Sequence, residues 1–444
     1  MRQTALCAAI VAMYAIAPIA HADEISDLKA EIAAQKQAAA EQKARLDALE
    51  QKLSTVQQPQ AAVASGDAGS SASSGNGVSF KQGEGLNIKG SAGSLTLYGL
   101  IDVSYVHSTN ADKSGHSVTS PRVAWFSGNR WGLTGRRPLG STGLDAIFRL
   151  ESEFENQTGD MDTPGVLFNR DAWAGVESQS FGKLTLGRQN AIARDPVASG
   201  IYGDPYGSAA PTLEEGGYTN NNNFKQMVFY AGSATGTRID NGVVWKKKFD
   251  NGLVAAAQYQ FGGIPGSFAR GSSETVSLAY AGGAYNLAGF VTSADVAGRR
   301  DRTYSLGGNY QFGPLVRVNA GYFHYTANQG NLGNRTDNAY TVSAKFTPSG
   351  PFDYALGYQV MKAKNAAVSS AGNVLNAFAD STASTATATG SRSTFYASAT
   401  YHFDKITEVY FATDYLKLRD GYRTGTTNGA MSQMEYAIGL RTRF

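Results

Sequence analysis

Apolar and polar residues alternate along most of this chain, from residue 94 to residue 444. The first such segment has Leu95, Leu97, Ile101, Val103 and Tyr105 on one face, opposite Thr96, Tyr98, Asp102 and Ser104. Successive side chains of a strand point to opposite faces, so the pattern is typical of strands with an apolar medium on one side and water on the other. It recurs at residues 144–154, 395–403 and 409–415. We therefore predict an all-β fold.

Short turns and long polar loops connect the alternating segments. Asp/Asn-Gly, Gly-Pro and related pairs mark hairpin turns at residues 138–141, 249–252, 313–314, 348–351 and 404–405. Longer polar loops lie at residues 108–122, 328–335 and 366–391. Short turns on one side and long loops on the other predict a 16-stranded antiparallel transmembrane β-barrel over residues 94–444.

A soluble β-sandwich is the alternative all-β fold. It leaves unexplained why one strand carries a fully charged face, formed by Arg149, Glu151, Glu153 and Glu155. The chain also has 51 Gly, 23 Tyr and 21 Phe but only 12 Pro. Many short strands with aromatic ends produce this composition, which favours the barrel.

The N-terminus has the features of a secretory signal. Arg2 precedes an apolar stretch at residues 5–19, and Ala20-His21-Ala22 supplies the small residues that signal peptidase requires. We predict a signal peptide over residues 1–22. Cys7, the only cysteine, would be removed with it, leaving neither a disulfide nor a thiol nucleophile.

Residues 23–58 are rich in Ala, Glu, Lys and Gln and show a seven-residue apolar repeat over five heptads. The two core positions hold Ile25, Ile32, Ala39, Leu46 and Leu53, and Leu28, Gln35, Gln42, Leu49 and Val56. This repeat predicts an α-helical parallel coiled coil in the periplasm, with a lone surface helix as the alternative. The Ser/Gly/Ala-rich residues 59–93 predict a flexible linker.

Several function classes are disfavoured by the sequence. The formal net charge is only +3 and the basic residues are scattered, so no nucleic-acid partner is expected. The histidines outside the signal peptide have neither a catalytic partner nor zinc-ligand spacing: His107, His116, His324 and His402. We therefore predict no enzyme activity, no catalytic residue, no metal site and no cofactor.

Six segments, taken in order, resemble the Gram-negative general porins of the trimeric β-proteobacterial type. They lie at residues 95–102, 130–135, 146–151, 168–175, 181–189 and in the last strand to Phe444. The resemblance implies a homotrimer in the outer membrane, in contact with outer-membrane lipids and lipopolysaccharide. It also implies passive diffusion of small hydrophilic solutes. The N-terminal helix resembles extensions of some substrate-preferring trimeric porins.

The terminal strand has an aromatic and apolar outer face. Tyr436, Ile438, Leu440 and Phe444 alternate with polar residues that include Glu435, Arg441 and Arg443. The resemblance implies that this strand is the signal read by the barrel-assembly machinery.

A barrel of 16 strands is wider than its own side chains can fill. The resemblance implies that the third loop, here about residues 190–236, folds into the lumen opposite a wall of arginines. The acidic residues of this loop are Asp195, Asp204, Glu214 and Glu215. Together with the arginines they would form the pore constriction.

Strand parity selects the arginines of that wall. Opposite in phase to apolar neighbours, and therefore in the lumen, are Arg130, Arg149, Arg170 and Arg238. Parity places Arg188 on the outer face, at a subunit interface or strand rim. It also places Asp171 outward, beside Trp173.

Further acidic residues are expected to face the lumen as a vestibule: Asp102, Asp145, Glu151, Glu153 and Glu155. They would either attract cations or pair with Arg136 and Arg149. Ion selectivity therefore stays open at this level.

The sequence favours a passive diffusion porin. A channel that prefers anionic solutes such as dicarboxylates is the first alternative, because of the arginine wall and the helical extension. A structural role is the second, in which the coiled coil holds the trimer together or reaches peptidoglycan.

Overall fold

The computed structural model describes residues 77–81, 83–123, 125–197, 212, 216–217, 221 and 223–444. The predicted signal peptide and coiled coil lie outside the described residues and stay predictions. All described residues fall in one unit, Ser74–Phe444.

Antiparallel strands dominate the described part of the chain. Their bounds are β1 Gly77–Lys81, β2 Gly85–Gly90, β3 Gly93–Ser108, β4 Val118–Val123, β5 Arg130–Pro138, β6 Asp145–Glu153, β7 Asp171–Ser178, β8 Gly182–Asn190, β9 Arg238–Lys248, β10 Leu253–Gln260, β11 Ser273–Ala281, β12 Tyr285–Val296, β13 Arg299–Phe312, β14 Val316–Asn328, β15 Asn334–Phe346, β16 Phe352–Ala367, β17 Thr387–His402, β18 Thr407–Asp420 and β19 Ser432–Arg443. Two α-helices, α1 Arg194–Val197 and α2 Asn223–Tyr230, and two 3-10 turns, Gly330–Leu332 and Gly425–Thr427, complete the described elements.

The sheet closes on itself between its first and last long strands. β19 pairs with β3, with Leu440 opposite Val103. Beyond this ladder, the backbone N–H of Phe444 donates to the carbonyl of Gly99 at 3.0 Å, and the reverse bond measures 2.9 Å. β4 and β5 both pair with β3 and together form one interrupted wall strand. The closed barrel therefore has 16 antiparallel strands, which confirms the predicted fold class.

The last part of the predicted linker is a hairpin rather than a loop. β1 and β2 pair with each other, and β2 pairs with the start of β3, where Leu86 lies opposite Leu97. The sheet therefore begins at Gly77, so strands occupy residues where a linker was predicted, whereas the first strand of the closed barrel, β3, begins at Gly93. The remainder of the predicted linker, residues 59–76, lies outside the described residues.

The connections differ in length between the two ends of the barrel. At the turn end, the strands are joined at residues 139–144, 179–181, 249–252, 282–284, 313–315, 347–351 and 403–406. At the loop end, the longest connections are residues 154–170, 191–237 and 368–386. The five predicted turns all lie at the turn end. One of them needs glycine: Gly252 has a φ of +87° and lies against the carbonyl of Ala281.

Burial follows the alternation in the sequence. On β12, the inward Ala288 and Phe290 are each 3% exposed, whereas the outward Leu287 is 54% exposed. An apolar outward face suits lipid, since lipid requires every backbone polar group to be paired within the protein, as the closed sheet achieves. Among the described residues, no helix is long and apolar enough to cross a membrane.

Candidate functional site

The described parts of the connection between β8 and β9, residues 191–197, 212, 216–217, 221 and 223–237, lie inside the barrel. At its start, the backbone N–H of Ile192 donates to the Gln258 side chain on β10 at 2.8 Å. At its end, the Tyr230 hydroxyl of α2 donates to Asp337 on β15 at 2.7 Å. The segment therefore bridges wall strands that are far apart around the barrel, and we call it the inner loop.

The middle of the inner loop also touches the wall. The carbonyl of Asn221 accepts hydrogen bonds from Arg392 at 3.1 Å and from Thr394 at 3.0 Å, both on β17. Thr212 lies against β13 and β14 at two glycines. A Cβ on Gly321 would lie 2.7 Å from Thr212, and one on Gly307 would overlap it. Because these two wall residues are glycines, the loop can approach the wall closely.

Apolar packing anchors α2 to strands β12–β16. Met227 and Phe323 are fully buried, and the Tyr230 ring stacks on Phe323 with centroids 6.1 Å apart. Tyr325 also contacts the Tyr230 ring, at 5.7 Å. Each large side chain buried in this way stabilises the packing by roughly 1.5–3 kcal/mol.

The break between β4 and β5 supplies a second contact for the inner loop. Trp125 lies in this break and is fully buried. Its indole N–H donates to the carbonyl of Gly216 at 3.3 Å. A Cβ on Gly217 would lie 2.8 Å from the same nitrogen. Residues 125–129 therefore form an inward fold that holds the inner loop from the β3 side.

Asp102 organises this inward fold. Its carboxylate accepts the backbone N–H groups of Phe126 and Ser127 at 2.9 and 2.8 Å, and the Tyr410 hydroxyl at 2.6 Å. The side chain is fully buried. The sequence placed Asp102 in an open vestibule; that placement is wrong, because the carboxylate serves as a buried acceptor for the backbone.

The predicted arginine wall is a compact cluster of ion pairs. Arg170 donates to Glu151 at 2.5 Å and also binds Glu153. All three side chains are at most 6% exposed. Arg130 lies beside them, bonded through Nε to the carbonyl of Gly128 at 3.1 Å. Glu151 and Glu153 therefore neutralise the wall from within and are not vestibule residues.

Arg149 extends the cluster toward the turn end. Its Nε donates to the Tyr98 hydroxyl at 2.7 Å, and that hydroxyl donates to Glu151 at 2.7 Å. The guanidinium also lies 3.8 Å from Asp171. The inner surface of β3–β7 thus alternates positive and negative groups.

Asp171 and Trp173 face inward, contrary to the parity argument. Trp173 lies opposite Arg149 in the β6–β7 register, and paired residues of antiparallel strands share a face. The prediction treated the aromatic residue as lipid-facing, whereas Lys183 lies over its ring at 5.5 Å. Arg170 precedes the first residue of β7, so strict alternation does not apply to it.

A backbone irregularity also changes the phase around Arg238. Asn241 has a φ of +50°, and the β8–β9 register shifts after Gly187. As a result Ile239, an apolar neighbour of Arg238 that strict strand parity would place outside, is fully buried with Ile192 of the inner loop. The Arg238 guanidinium still lies close enough to the cluster for its charge to act on Glu153.

The other predicted acidic residues are distributed along the barrel. Asp145 binds Arg136 at the turn end, as expected if these acidic residues pair with arginines instead of attracting cations. Glu155 follows β6, and its backbone N–H bonds the carbonyl of Asp160 at 2.8 Å. Asp195 of the inner loop pairs with Lys246 on β9 at 2.5 Å. Outside the described residues lie Asp204, Glu214 and Glu215.

Two charged cavities lie inside the barrel near its turn end. The larger has a volume of about 370 Å³. Its charged lining is Arg136, Arg149, Lys183, Lys246, Asp171, Glu177 and Asp195, four cations and three carboxylates. The smaller, about 90 Å³, has a lining that includes Lys345, Asp353, His402, Glu408 and Arg441. Mixed charges around small cavities can hold water and hydrated solutes.

Arg188 and the side chains of the terminal strand face outward, as strand parity predicts. Arg188 lies on the outer face beside Asp240, with which it pairs. The exposed outward side chains of the last strand are Tyr436, Ile438, Leu440 and Phe444. The Phe444 ring covers Gly99, where a Cβ would overlap it.

Sequence reasoning missed three groups that hold the inner loop. Trp125 lies outside any alternating segment, so nothing marked it. Arg335 and Asp337 are both inward on β15 and form a buried pair at 2.7 Å. The sequence did contain a signal for this pair: two opposite charges at positions i and i+2, which share one face of a strand. Arg392 is 1% exposed, and its inward parity was equally visible.

The described residues contain no group of three or more His, Cys, Asp or Glu side chains arranged for a metal ion. The site is instead built from paired charges, buried aromatic rings and a loop inside a barrel.

The known proteins that this chain is similar to are outer-membrane porins. The sequence profile of the family described as Gram-negative porin matches residues 54–422. An outer membrane porin protein of Bordetella pertussis is 29% identical over 259 residues, 52% of this chain and 64% of that protein. The chain thus matches less than two thirds of the length of this relative.

Solved structures match nearly along their whole length. An anion-selective porin from Comamonas acidovorans is 21% identical with a TM-score of 0.61, covering 79% of this chain and 100% of that one. The trimer form of OmpT from Vibrio cholerae is 14% identical with a TM-score of 0.54, covering 80% and 100%. OmpF of Salmonella typhi in complex with daunomycin is 17% identical with a TM-score of 0.53, covering 81% and 100%. At these identities the likeness shows the fold.

Proposed function

Since this chain belongs to the Gram-negative porin family, whose profile it matches over residues 54–422, we propose that it forms a water-filled channel in the outer membrane. The channel carries small hydrophilic solutes and ions by passive diffusion. One observation carries the proposal: an inner loop, fixed at several wall strands, crosses a closed 16-stranded barrel whose inner surface is charged. Such a loop narrows a lumen that 16 strands would otherwise leave wide.

Solute uptake tests this function. Lipid vesicles containing the folded protein are placed in iso-osmotic solutions of uncharged sugars of increasing size. We expect rapid swelling with the smallest sugar and slower swelling with each larger one, and no swelling of protein-free vesicles. Vesicles that hold folded barrels and stay unswollen in the smallest sugar contradict a diffusion channel.

A preference for anionic solutes, dicarboxylates included, is the second candidate. The larger cavity has one more cation than carboxylate. Two guanidinium nitrogens of Arg238, Nε and Nη2, are buried without a hydrogen-bond partner among the described residues. Both features favour a transient carboxylate contact. The reversal potential under a salt gradient tests it: Arg238→Ser should shift the potential toward cation preference, and an unchanged potential counts against this candidate.

The assembly proposal is a homotrimer in which the helix of residues 23–58 joins the three chains. The trimeric form of a protein with the same fold supports it. Contact of the helix with peptidoglycan and recognition of the last strand by the barrel-assembly machinery belong to the same proposal. Cross-linking with and without residues 23–58 tests the helix, and unchanged trimer stability counts against its role.

The absence of enzyme activity is part of the proposal, and it rests on the family match. The inward charges of the described strands are explained by the inner loop and the wall. The barrel therefore needs no chemical step to account for them.

A further inference from the structure

The connection between β16 and β17, residues 368–386, folds inward at one turn. The backbone N–H of Ala379 donates to the carbonyl of Asn376 at 3.3 Å and closes this turn. The two central residues, Ala377 and Phe378, are 6% and 4% exposed, whereas Asn376 is exposed. We call residues 368–386 the covering loop, because this turn packs on the inner loop.

Phe378 has a backbone conformation that a bulky residue rarely takes. Its φ is +58°, in the left-handed region that turns usually fill with glycine or asparagine. Holding a phenylalanine there costs conformational free energy, so the contacts of its ring must offset that cost. Strained residues of this kind concentrate where a segment is clamped in place. The Phe378 ring is therefore the anchor of the covering loop.

This anchor contacts both the wall and the inner loop. The Phe378 ring meets the Tyr325 ring of β14 edge-on, with centroids 5.3 Å apart. A Cβ on Gly232, two residues after α2, would lie 3.1 Å from the Phe378 ring. Phe378 also belongs to the same buried cluster as Met227 and Tyr230 of α2. The helix α2 therefore packs against the covering loop as well as against β12–β16.

Tyr325 joins the covering loop to the wall through its hydroxyl. The hydroxyl accepts the backbone N–H of Phe378 at 2.9 Å and donates to Asp301 on β13 at 2.8 Å. The Tyr325 side chain is 1% exposed, and its ring also contacts the Tyr230 ring of α2. One side chain thus contacts the wall, α2 and the covering loop.

Arg335 makes a second connection among the same three parts. Its Nη1 donates to the carbonyl of Leu375 in the covering loop at 2.8 Å, and its Nη2 donates to Asp337 at 2.7 Å. Asp337 in turn accepts the Tyr230 hydroxyl at 2.7 Å. A buried polar network whose members are bonded to one another specifies a single arrangement of the groups it joins. The position of α2 is therefore coupled to that of the covering loop.

This coupling bears on the width of the lumen. The helix α2 belongs to the inner loop, which narrows the barrel, and its apolar cluster includes inward residues of β12, β14, β15 and β16. Neighbouring strands lie about 4.8 Å apart, so β12–β16 span roughly 19 Å of the inner wall. An α2 that moved away from this sector would change the cross-section open to solutes.

We propose that the covering loop sets the size limit of the channel by holding α2 against β12–β16. Phe378, Tyr325 and Arg335 are the positioning residues, and they act on solutes through the width of the lumen. The proposal rests on the proposed channel function and deepens it, because it names the element that determines which solutes pass the inner loop.

Vesicle swelling with Phe378→Gly tests the size limit. Glycine adopts a φ of +58° without strain, so this variant loses the ring and keeps the turn. The control Phe268→Gly removes a ring that is 71% exposed in the connection between β10 and β11. The readout is the swelling rate in the largest sugar that the unmodified protein admits, divided by the rate in the smallest.

Solute passage depends on pore width, so this ratio should rise at least about twofold in Phe378→Gly. The control should keep the unmodified ratio. An unchanged or lower ratio in Phe378→Gly, or an equal rise in both variants, overturns the proposal.

Amide hydrogen exchange of α2 tests the contact itself. Tyr325→Phe removes the hydroxyl that accepts the Phe378 N–H. The control Tyr322→Phe removes a hydroxyl on the outer face of the same strand, where it donates to Asn338 at 2.7 Å. Loss of a buried hydrogen bond shifts an equilibrium by roughly threefold to tenfold, so the amides of residues 227–232 should exchange faster by that factor in Tyr325→Phe. Unchanged exchange in Tyr325→Phe, or the same acceleration in the control, overturns the proposal.

The two measurements also separate this proposal from the proposed function. Should Phe378→Gly not fold, hydrogen exchange in the full-length Tyr325→Phe protein in micelles decides. An unmodified protein that leaves vesicles unswollen in every sugar contradicts the channel. The exchange pair then still decides whether the covering loop holds α2.

Discussion

Removal of the Arg170 guanidinium should destabilise the barrel strongly. In Arg170→Met, the carboxylates of Glu151 and Glu153 lose their closest cation, and their side chains are only 2% and 6% exposed. Removing one partner of a buried ion pair typically costs about 3–5 kcal/mol, because the remaining charge stays buried. Arg130 and Arg149 still act on Glu151. We therefore expect the lower end, about 3 kcal/mol.

Urea unfolding of the folded protein in micelles, followed by tryptophan fluorescence, measures this cost. Arg137→Met is the control, since Arg137 is exposed and should change the free energy of unfolding by less than about 0.5 kcal/mol. The triple variant Arg170→Met/Glu151→Gln/Glu153→Gln removes the stranded charges and should recover more than half of the loss. A cost below about 1 kcal/mol for Arg170→Met, or no recovery in the triple variant, refutes the buried cluster.

Three further perturbations test other parts of the barrel. Trp125→Ala removes the indole that holds the inner loop. We expect the free energy of unfolding to fall by about 3–5 kcal/mol and the single-channel current to become noisier. A variant with unchanged stability and unchanged current noise would contradict the contact. Gly99→Val places a side chain into the Phe444 ring, so the yield of heat-resistant folded barrel on gels should fall well below that of the unmodified protein. The exposed Asp112 accepts hydrogen bonds from His116, which holds the pKa of that carboxyl below its ordinary value of 3.8. This bond therefore supports its loop above pH 3.8 and is lost as the pH falls through the lowered pKa; carbon NMR should show His116→Ala raising that pKa, and an unmoved pKa would disprove the assignment.

The barrel itself could be predicted from the sequence because alternation and turn chemistry are local. Strand number, closure at the last strand and the positions of the short turns all follow from period-2 patterns. The β1–β2 hairpin was missed because its strands have five and six residues, and three of its end positions are Gly77, Gly85 and Gly90. Such short glycine-bounded strands are hard to separate from a linker.

The site was less predictable because side-chain partners depend on register. Trp173 was assigned to lipid by its residue type, yet its cross-strand partner Arg149 fixes it inside. The positive φ of Asn241 shifted the phase between Ile239 and the rest of β9. The connection formed by residues 154–170 brings Arg170 into contact with the two glutamates of β6. No local sequence pattern predicts this contact. A row of arginines in the sequence was therefore a neutralised cluster in the fold.

Single-channel recording in planar bilayers tests the central claim most directly. Folded protein, verified by heat-dependent gel mobility, is added to one side of the membrane. We expect ohmic conductance steps in groups of three that shrink only with polymers small enough to enter the lumen. Folded barrels that insert and carry no current would contradict a water-filled channel.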